Sequence, residues 1–170
     1  MSVSASITLD GIAGLKPNQI RAAARVAMKA VGDRWIADML PRHFLQSATA
    51  RYSYANRDPV YRRRKRLGAE IAGVASIKED KPLVWSGRSR ERAKAARTEA
   101  KAPSATQAIC DVIINAPALN FRYKDSNINM REEVTRVLPS EAEQLAALFV
   151  RIFDRELDRL GRTTIRRKAA

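Results

Sequence analysis

His43 and Cys110 are the only histidine and the only cysteine of the chain, which narrows the chemistry available to it. His43 lies two residues after Pro41, and work as a general base would need a hydrogen-bonding partner that no neighbouring motif announces. Cys110 falls inside an apolar, β-branched run, where a thiol serves packing rather than attack. The usual zinc site, with four ligands drawn mostly from Cys and His, is excluded. So is an internal disulfide framework. The closest acidic pairs, Glu79-Asp80 and Glu132-Glu133, are adjacent residues whose carboxylates point apart in extended chain, so they read as surface acids. Gly68 and Gly73 lack the spacing and the Lys-Ser/Thr of a phosphate loop. No catalytic residue, cofactor site or metal ligand is assigned, and a nonenzymatic protein is expected.

Two constellations remain. The run Arg51, Tyr52, Tyr54, Arg57, Tyr61, Arg62, Arg63, Arg64, Lys65 and Arg66 interleaves three tyrosines with seven cations, and Asp58 is its single acid. Single-stranded nucleic acid suits such a run, because aromatics stack bases while cations follow phosphates. A protein interface suits it equally, since Tyr and Arg are enriched at anchoring positions. A merely solvated charged face is the third reading. No helix-turn-helix, zinc-finger or RNA-recognition signature decides among them. The second constellation is Trp85, Ser86, Gly87 and Arg88, where an apolar run stops at Ser-Gly. It could offer backbone N–H groups to an anion, or simply turn the chain. Trp85 is expected in a core or an interface, because an exposed indole is costly.

The surrounding chain carries a formal charge of +14, and the excess is local. Residues 16–68 hold 13 basic and 3 acidic side chains, whereas residues 102–161 hold 7 and 9. Arginine outnumbers lysine 23 to 9, which favours a binding surface, since a guanidinium is a planar fork for carboxylate or phosphate. No run approaches the ~18 apolar residues of a membrane span, and no signal peptide is expected ahead of Lys16. A reducing cytoplasm is the simplest setting.

Positioning these residues requires an α+β fold within a single domain over 1–170. Val3, Ala5, Ile7 and Leu9 alternate as a strand that ends in a turn at Asp10-Gly11. Pro17 opens a long helix with Ile20, Ala24, Ala27, Met28, Val31 and Trp35 on one side, ended or kinked by Pro41. Residues 42–81 show no sustained apolar face and read as an extended basic arm, with one or two exposed helical turns at Tyr61–Arg66. Residues 88–101 read as a mobile or helical surface segment. Ile109, Val112, Ile113 and Ile114 mark a strand, Leu119, Phe121 and Tyr123 a connection, and Val134 and Val137 a second short strand. Pro139-Ser140-Glu141 starts a final helix with Leu145, Leu148, Phe149, Ile152, Phe153 and Leu160 as its buried stripe. Gly161 is its expected cap, ahead of a basic tail at 162–170. The order predicts a small, mostly antiparallel sheet packed by two long helices.

Taken in order, the N-terminal strand and Ala-rich helix, Arg51-Tyr52-Ser53-Tyr54, Tyr61-Arg62-Arg63-Arg64-Lys65, Pro82-Leu83-Val84-Trp85-Ser86-Gly87-Arg88, Ala116-Pro117, and Val134–Glu143 resemble the tail-completion, or head-to-tail joining, proteins of the bacteriophage neck. The resemblance implies a nonenzymatic virion subunit without cofactor, assembled in the host bacterial cytoplasm. It further implies a homo-oligomeric ring, with a hexamer as the expected size, between the tail tube or terminator and the head connector. Nonspecific contact with genomic DNA in the lumen belongs to the same expectation, and no membrane contact does. A tail terminator or connector stopper is the nearest alternative role. A free nucleic-acid-binding protein and an arginine-rich adaptor are the alternatives from other classes.

Overall fold

The computed structural model describes residues 2–8, 15–71, 73–79, 81–120 and 128–168. In chain order its elements are β1 (Ser2–Thr8), α1 (Pro17–Arg34), a π turn (Trp35–Met39), a 3-10 turn (Leu40–Phe44), α2 (Ala48–Arg51) and α3 (Pro59–Arg66). There follow β2 (Glu70–Ile71), β3 (Val74–Ala75), α4 (Arg88–Lys94), β4 (Arg97–Lys101) and β5 (Gln107–Ile113). A 3-10 turn (Pro117–Asn120), α5 (Met130–Thr135) and α6 (Pro139–Lys168) complete the chain. The fold is α+β, with a small antiparallel sheet and two long helices. Its described residues divide into two compact units, one drawn from 2–35, 97–113 and 139–168, the other from 36–96 and 114–138.

The first unit is built on the antiparallel order β1-β5-β4. Ala108, Cys110 and Val112 of β5 point to the buried face, while Ser4, Asp111 and Lys101 meet on the other. That alternation is what a sheet with one wet face requires. On the wet face the Ser4 hydroxyl, and then Lys101, hold the Asp111 carboxyl below its ordinary range. Helix α1 starts at Pro17, with the Gln19 side chain accepting from the Lys16 N–H at 3.0 Å. It buries Ile20, Ala23, Ala24, Ala27, Met28, Val31 and Gly32, and packs against β4, β5 and α6. The alanines and Gly32 permit a close approach. A Cβ built on Gly32 would lie 2.5 Å from Cys110 Sγ and 2.6 Å from Thr98 Cγ2. Gly32→Ala is therefore expected to cost about 1–3 kcal/mol by overpacking, read as a lowered urea midpoint at constant slope, and Cys110→Ala in the same chain should recover part of it.

The α1 stripe is buried as its spacing predicts, and the regular α-helix gives way after Arg34, ahead of Pro41. Pro41 cannot donate to residue 37 and its ring crowds that carbonyl. The backbone widens into the π turn and then tightens into the 3-10 turn containing Pro41. At the other end, α6 runs through Gly161 to Lys168, so the expected cap is not used and the basic tail continues the helix. Of the expected α6 stripe, Phe149 and Phe153 are fully buried, while Leu145, Leu148, Ile152 and Leu160 are half-buried.

In the second unit, α2, α4 and α5 pack on the Leu40–Phe44 turn, whose Leu40, His43 and Phe44 are buried. The expected extended arm over 42–81 is instead folded for most of its length. It holds α2, α3 and the β2-β3 hairpin, with Gly73 at φ +74 in the hairpin turn. Asp58 caps α3 by accepting from the N–H groups of Val60 at 2.7 Å and Tyr61 at 3.1 Å, and Pro59 occupies the first helical position. The helical turns expected at Tyr61–Arg66 thus exist and begin two residues earlier. The segment 88–101 is part helix and part strand, α4 and then β4. The strand expected around Val134 is α5, because Asn129 caps it and Glu132 and Glu133 favour a helix start over a single β-branched residue. The turn at Asp10-Gly11, Phe121 and Tyr123, and the last two residues of the tail lie outside the described residues.

Candidate protein-binding face and its basic cavity

The tyrosines of the basic run turn inward, and the reason is His43. Its ring stacks on Tyr52 with centroids 4.0 Å apart and 16° between planes, and Tyr54 lies 5.8 Å from Tyr52 at 22°. His43 Nδ1 and the Tyr54 hydroxyl share a short hydrogen bond. Burial, and then the Glu133 carboxylate, raise the Tyr54 phenol well above its ordinary range, so it stays protonated. The turn after α2, with Ser53 at φ +50, brings the Tyr52 and Tyr54 rings together, and the partner face comes from the 3-10 turn rather than from the run itself.

Helix α5 fastens the same stretch. Glu133, only 4% exposed, accepts from Ala55 N–H at 3.2 Å and from the Arg57 guanidinium at 2.9 and 2.5 Å. Arg136 donates to the carbonyls of Tyr52 at 2.5 Å and Ser53 at 2.9 Å. This corrects the reading of Glu133 as a surface acid, and Arg57, expected among the binding residues of the run, is held in an internal ion pair. The two carboxylates of Glu132-Glu133 do point apart, but on a helix one of them is carried inward. Glu79 stays at the surface, bridging Lys81 at 2.9 Å and Arg90 at 3.2 Å, while Asp80 lies outside the described residues.

The remaining cations divide by helical face. Arg62, Arg63, Arg64 and Arg66 are exposed on α3, whereas Lys65 is buried and donates to the Lys81 carbonyl. Tyr61 is half-buried with its ring 5.3 Å from that of Trp85. Arg51 is exposed, its guanidinium 5.7 Å from the Tyr52 ring centroid. Trp85 is likewise half-buried, its indole N–H donating to the Val74 carbonyl at 2.9 Å. Gly87 sits at φ +80 directly before α4, where Arg88 is exposed. The Trp85-to-Arg88 step therefore serves as a turn into a short helix.

Sequence reading also missed the outward stripe of α3. Val60 and Leu67 are 64% and 69% exposed, and with Arg63 and Arg64 they follow the i, i+3, i+4, i+7 spacing of one helical face. On the opposite side Tyr61, Arg62 and Lys65 line a cavity of about 220 Å³. Cys110 stands apart in β5, where burial, then Asp33 and Asp111, push its thiol up to about 11 and leave almost no thiolate at neutral pH. Among the described residues no group of three or more His, Cys, Asp or Glu could hold a metal ion. No described helix is long and apolar enough to cross a membrane. Comparison with family models, with curated proteins and with solved structures finds no match to this chain.

Proposed function

We propose that the protein is a nonenzymatic subunit of a tailed-phage neck, building a homo-oligomeric ring that joins the tail tube to the head connector and resides in the virion. In this reading it grips an acidic neighbouring protein through the outward face of α3. The neck assignment rests on the resemblance of the ordered motifs. The acidic-neighbour assignment rests on one observation, the Val60-Arg63-Arg64-Leu67 stripe, in which two exposed aliphatics flank two exposed guanidinia. An aliphatic-arginine face suits a protein partner, because apolar anchors gain nothing from phosphate. Free nucleic-acid binding is less well served, since Tyr52 and Tyr54 spend their faces on His43 and on each other.

Replacing Arg63 and Arg64 together with Ser is expected to shift stability by less than about 0.5 kcal/mol each, as exposed positions usually do, and to impair joining of heads to tails. Counting infectious particles, and unjoined heads and tails by microscopy, checks this. Normal joining by a folded double mutant would reduce the stripe to a solvated face. Binding of oligonucleotide by the wild type that falls steeply with salt and is lost in this mutant would favour the nucleic-acid reading instead.

A further inference from the structure

Helix α6 carries a second outward stripe, and its chemistry is the reverse of that on α3. Phe149 and Phe153 turn inward, while Glu143, Ala147, Val150, Asp154 and Asp158 recur at intervals of three or four residues on the other side of the helix and are all exposed. The stripe holds three carboxylates, two aliphatic side chains and no cation. Ion pairs on this part of α6 join Glu156 to Arg155 at 3.9 Å and to Arg159 at 2.9 Å. Among the described residues, none engages Glu143, Asp154 or Asp158, and none engages Arg63 or Arg64 of the α3 stripe.

We propose that the α6 stripe is the acidic partner of the α3 stripe, each joining the other on a second copy of this chain. The spacings agree. Arg63 and Arg64 stand about one helical turn from Val60 on one side and from Leu67 on the other, and Asp154 stands about one turn from both Val150 and Asp158. One register therefore lays guanidinia on carboxylates while an aliphatic residue of α3 covers Val150, which is 55% exposed in the single chain. The small side chain of Ala147 leaves room for the crossing helix. Symmetric contacts are disfavoured by the same charges. Helix α3 on α3 would set arginines against arginines, and α6 on α6 carboxylates against carboxylates. Of the three pairings the unlike one alone is attractive, in a chain whose net charge of +14 opposes the approach of a second copy. A contact between unlike surfaces leaves each subunit one face of each kind for a further copy, so the contacts repeat until a ring closes. The pairing rests on the acidic-neighbour reading of α3 above and names that neighbour.

The test is sedimentation velocity of the full chain over a concentration series at low salt, with two charge-reversed variants. One combines Arg63→Glu with Arg64→Glu, the other Asp154→Lys with Asp158→Lys. The wild type should self-associate, and less so as salt rises. Each variant alone should associate at least about tenfold more weakly, because its two stripes now carry the same sign. Mixed in equal amounts, the two variants should associate again, since each supplies the face that the other lacks. If either reversal lowers the melting temperature, Arg63→Gln with Arg64→Gln and Asp154→Asn with Asp158→Asn carry the test, each expected to weaken association. A wild type that stays monomeric throughout overturns the pairing, as does a mixture of reversed variants no more associated than its components. The joining of heads to tails by the Arg63 and Arg64 mutant then decides the acidic-neighbour reading on its own. Loss of association with the arginine variant but not with the aspartate variant would also overturn the pairing, and would assign the α3 stripe to a different acidic surface.

Discussion

Glu133→Ala is expected to cost the protein about 3 kcal/mol, the lower end of what breaking a buried ion pair costs. The carboxylate is nearly inaccessible and serves both Nη atoms of Arg57 and the Ala55 N–H. Its removal strands a guanidinium that is 16% exposed and a backbone donor beside it. Arg57 retains some access to water, which is why the upper end of the range does not apply. The pair need not be a net source of stability, because charges removed together cost less than a charge left alone. Arg57→Met combined with Glu133→Leu should therefore recover more than half of the loss. Urea denaturation of the wild type, Arg57→Met, Glu133→Leu and the double mutant gives the coupling between the two sites. Single-mutant costs below about 1 kcal/mol that simply add would place this pair with ordinary surface bridges.

That ion pair shows which parts of the molecule could be read from sequence. Helix α1 was legible because its apolar residues recur on one face and Pro17 fixes its start. Strand β5 was legible because β-branched residues, Ile109, Val112 and Ile113, are concentrated in it. In both cases the information is local. The stretch from Arg51 to Arg57 was illegible for the opposite reason. It is polar by composition, and its core partners are supplied from distant sequence: a histidine ring from the 3-10 turn, a carboxylate and a guanidinium from α5. Neither Tyr52 nor Glu133 carries a local mark saying that it will be buried.

The candidate site divides in the same way. Its cationic character was plain, and so was a helix at Tyr61–Arg66. The division of that helix into an outward stripe and an inward cavity wall was not. It depends on where the Asp58 cap starts the helix, since a start shifted by one residue rotates every arginine by about 100°. Val60 and Leu67, at the ends of a charged run, become the apolar flanks of the face once that phase is set. The same phase carries Lys65 inward, although it sits in a block of five consecutive cations.

Phe149→Ala should be the most damaging single core substitution on α6, at about 3–5 kcal/mol. Periodicity alone offers six apolar positions on this helix as equivalents, and burial separates them. Phe149 is 2% exposed and stacks on Phe153 with centroids 5.4 Å apart, whereas Leu145, Leu148 and Ile152 remain half-buried. Beyond Phe153 the stripe turns polar: Glu156, seven residues after Phe149, is itself buried, with its carboxylate bonded to Arg159 at 2.9 Å. A charged group there brings polar neighbours with it and ends the dry part of the stripe at Phe153. The loss in Phe149→Ala then has two parts, the ring's transfer out of water and the cavity left between packed helices that close only partly. Phe149→Leu keeps most of the volume and should cost well under half as much, and Val150→Ala, at a position 55% exposed, should stay within about 0.5 kcal/mol. Urea midpoints at constant slope test the ordering. Equal midpoints for Phe149→Ala and Val150→Ala would mean that the phenyl ring is not held in a packed core and that α6 docks through its leucines instead.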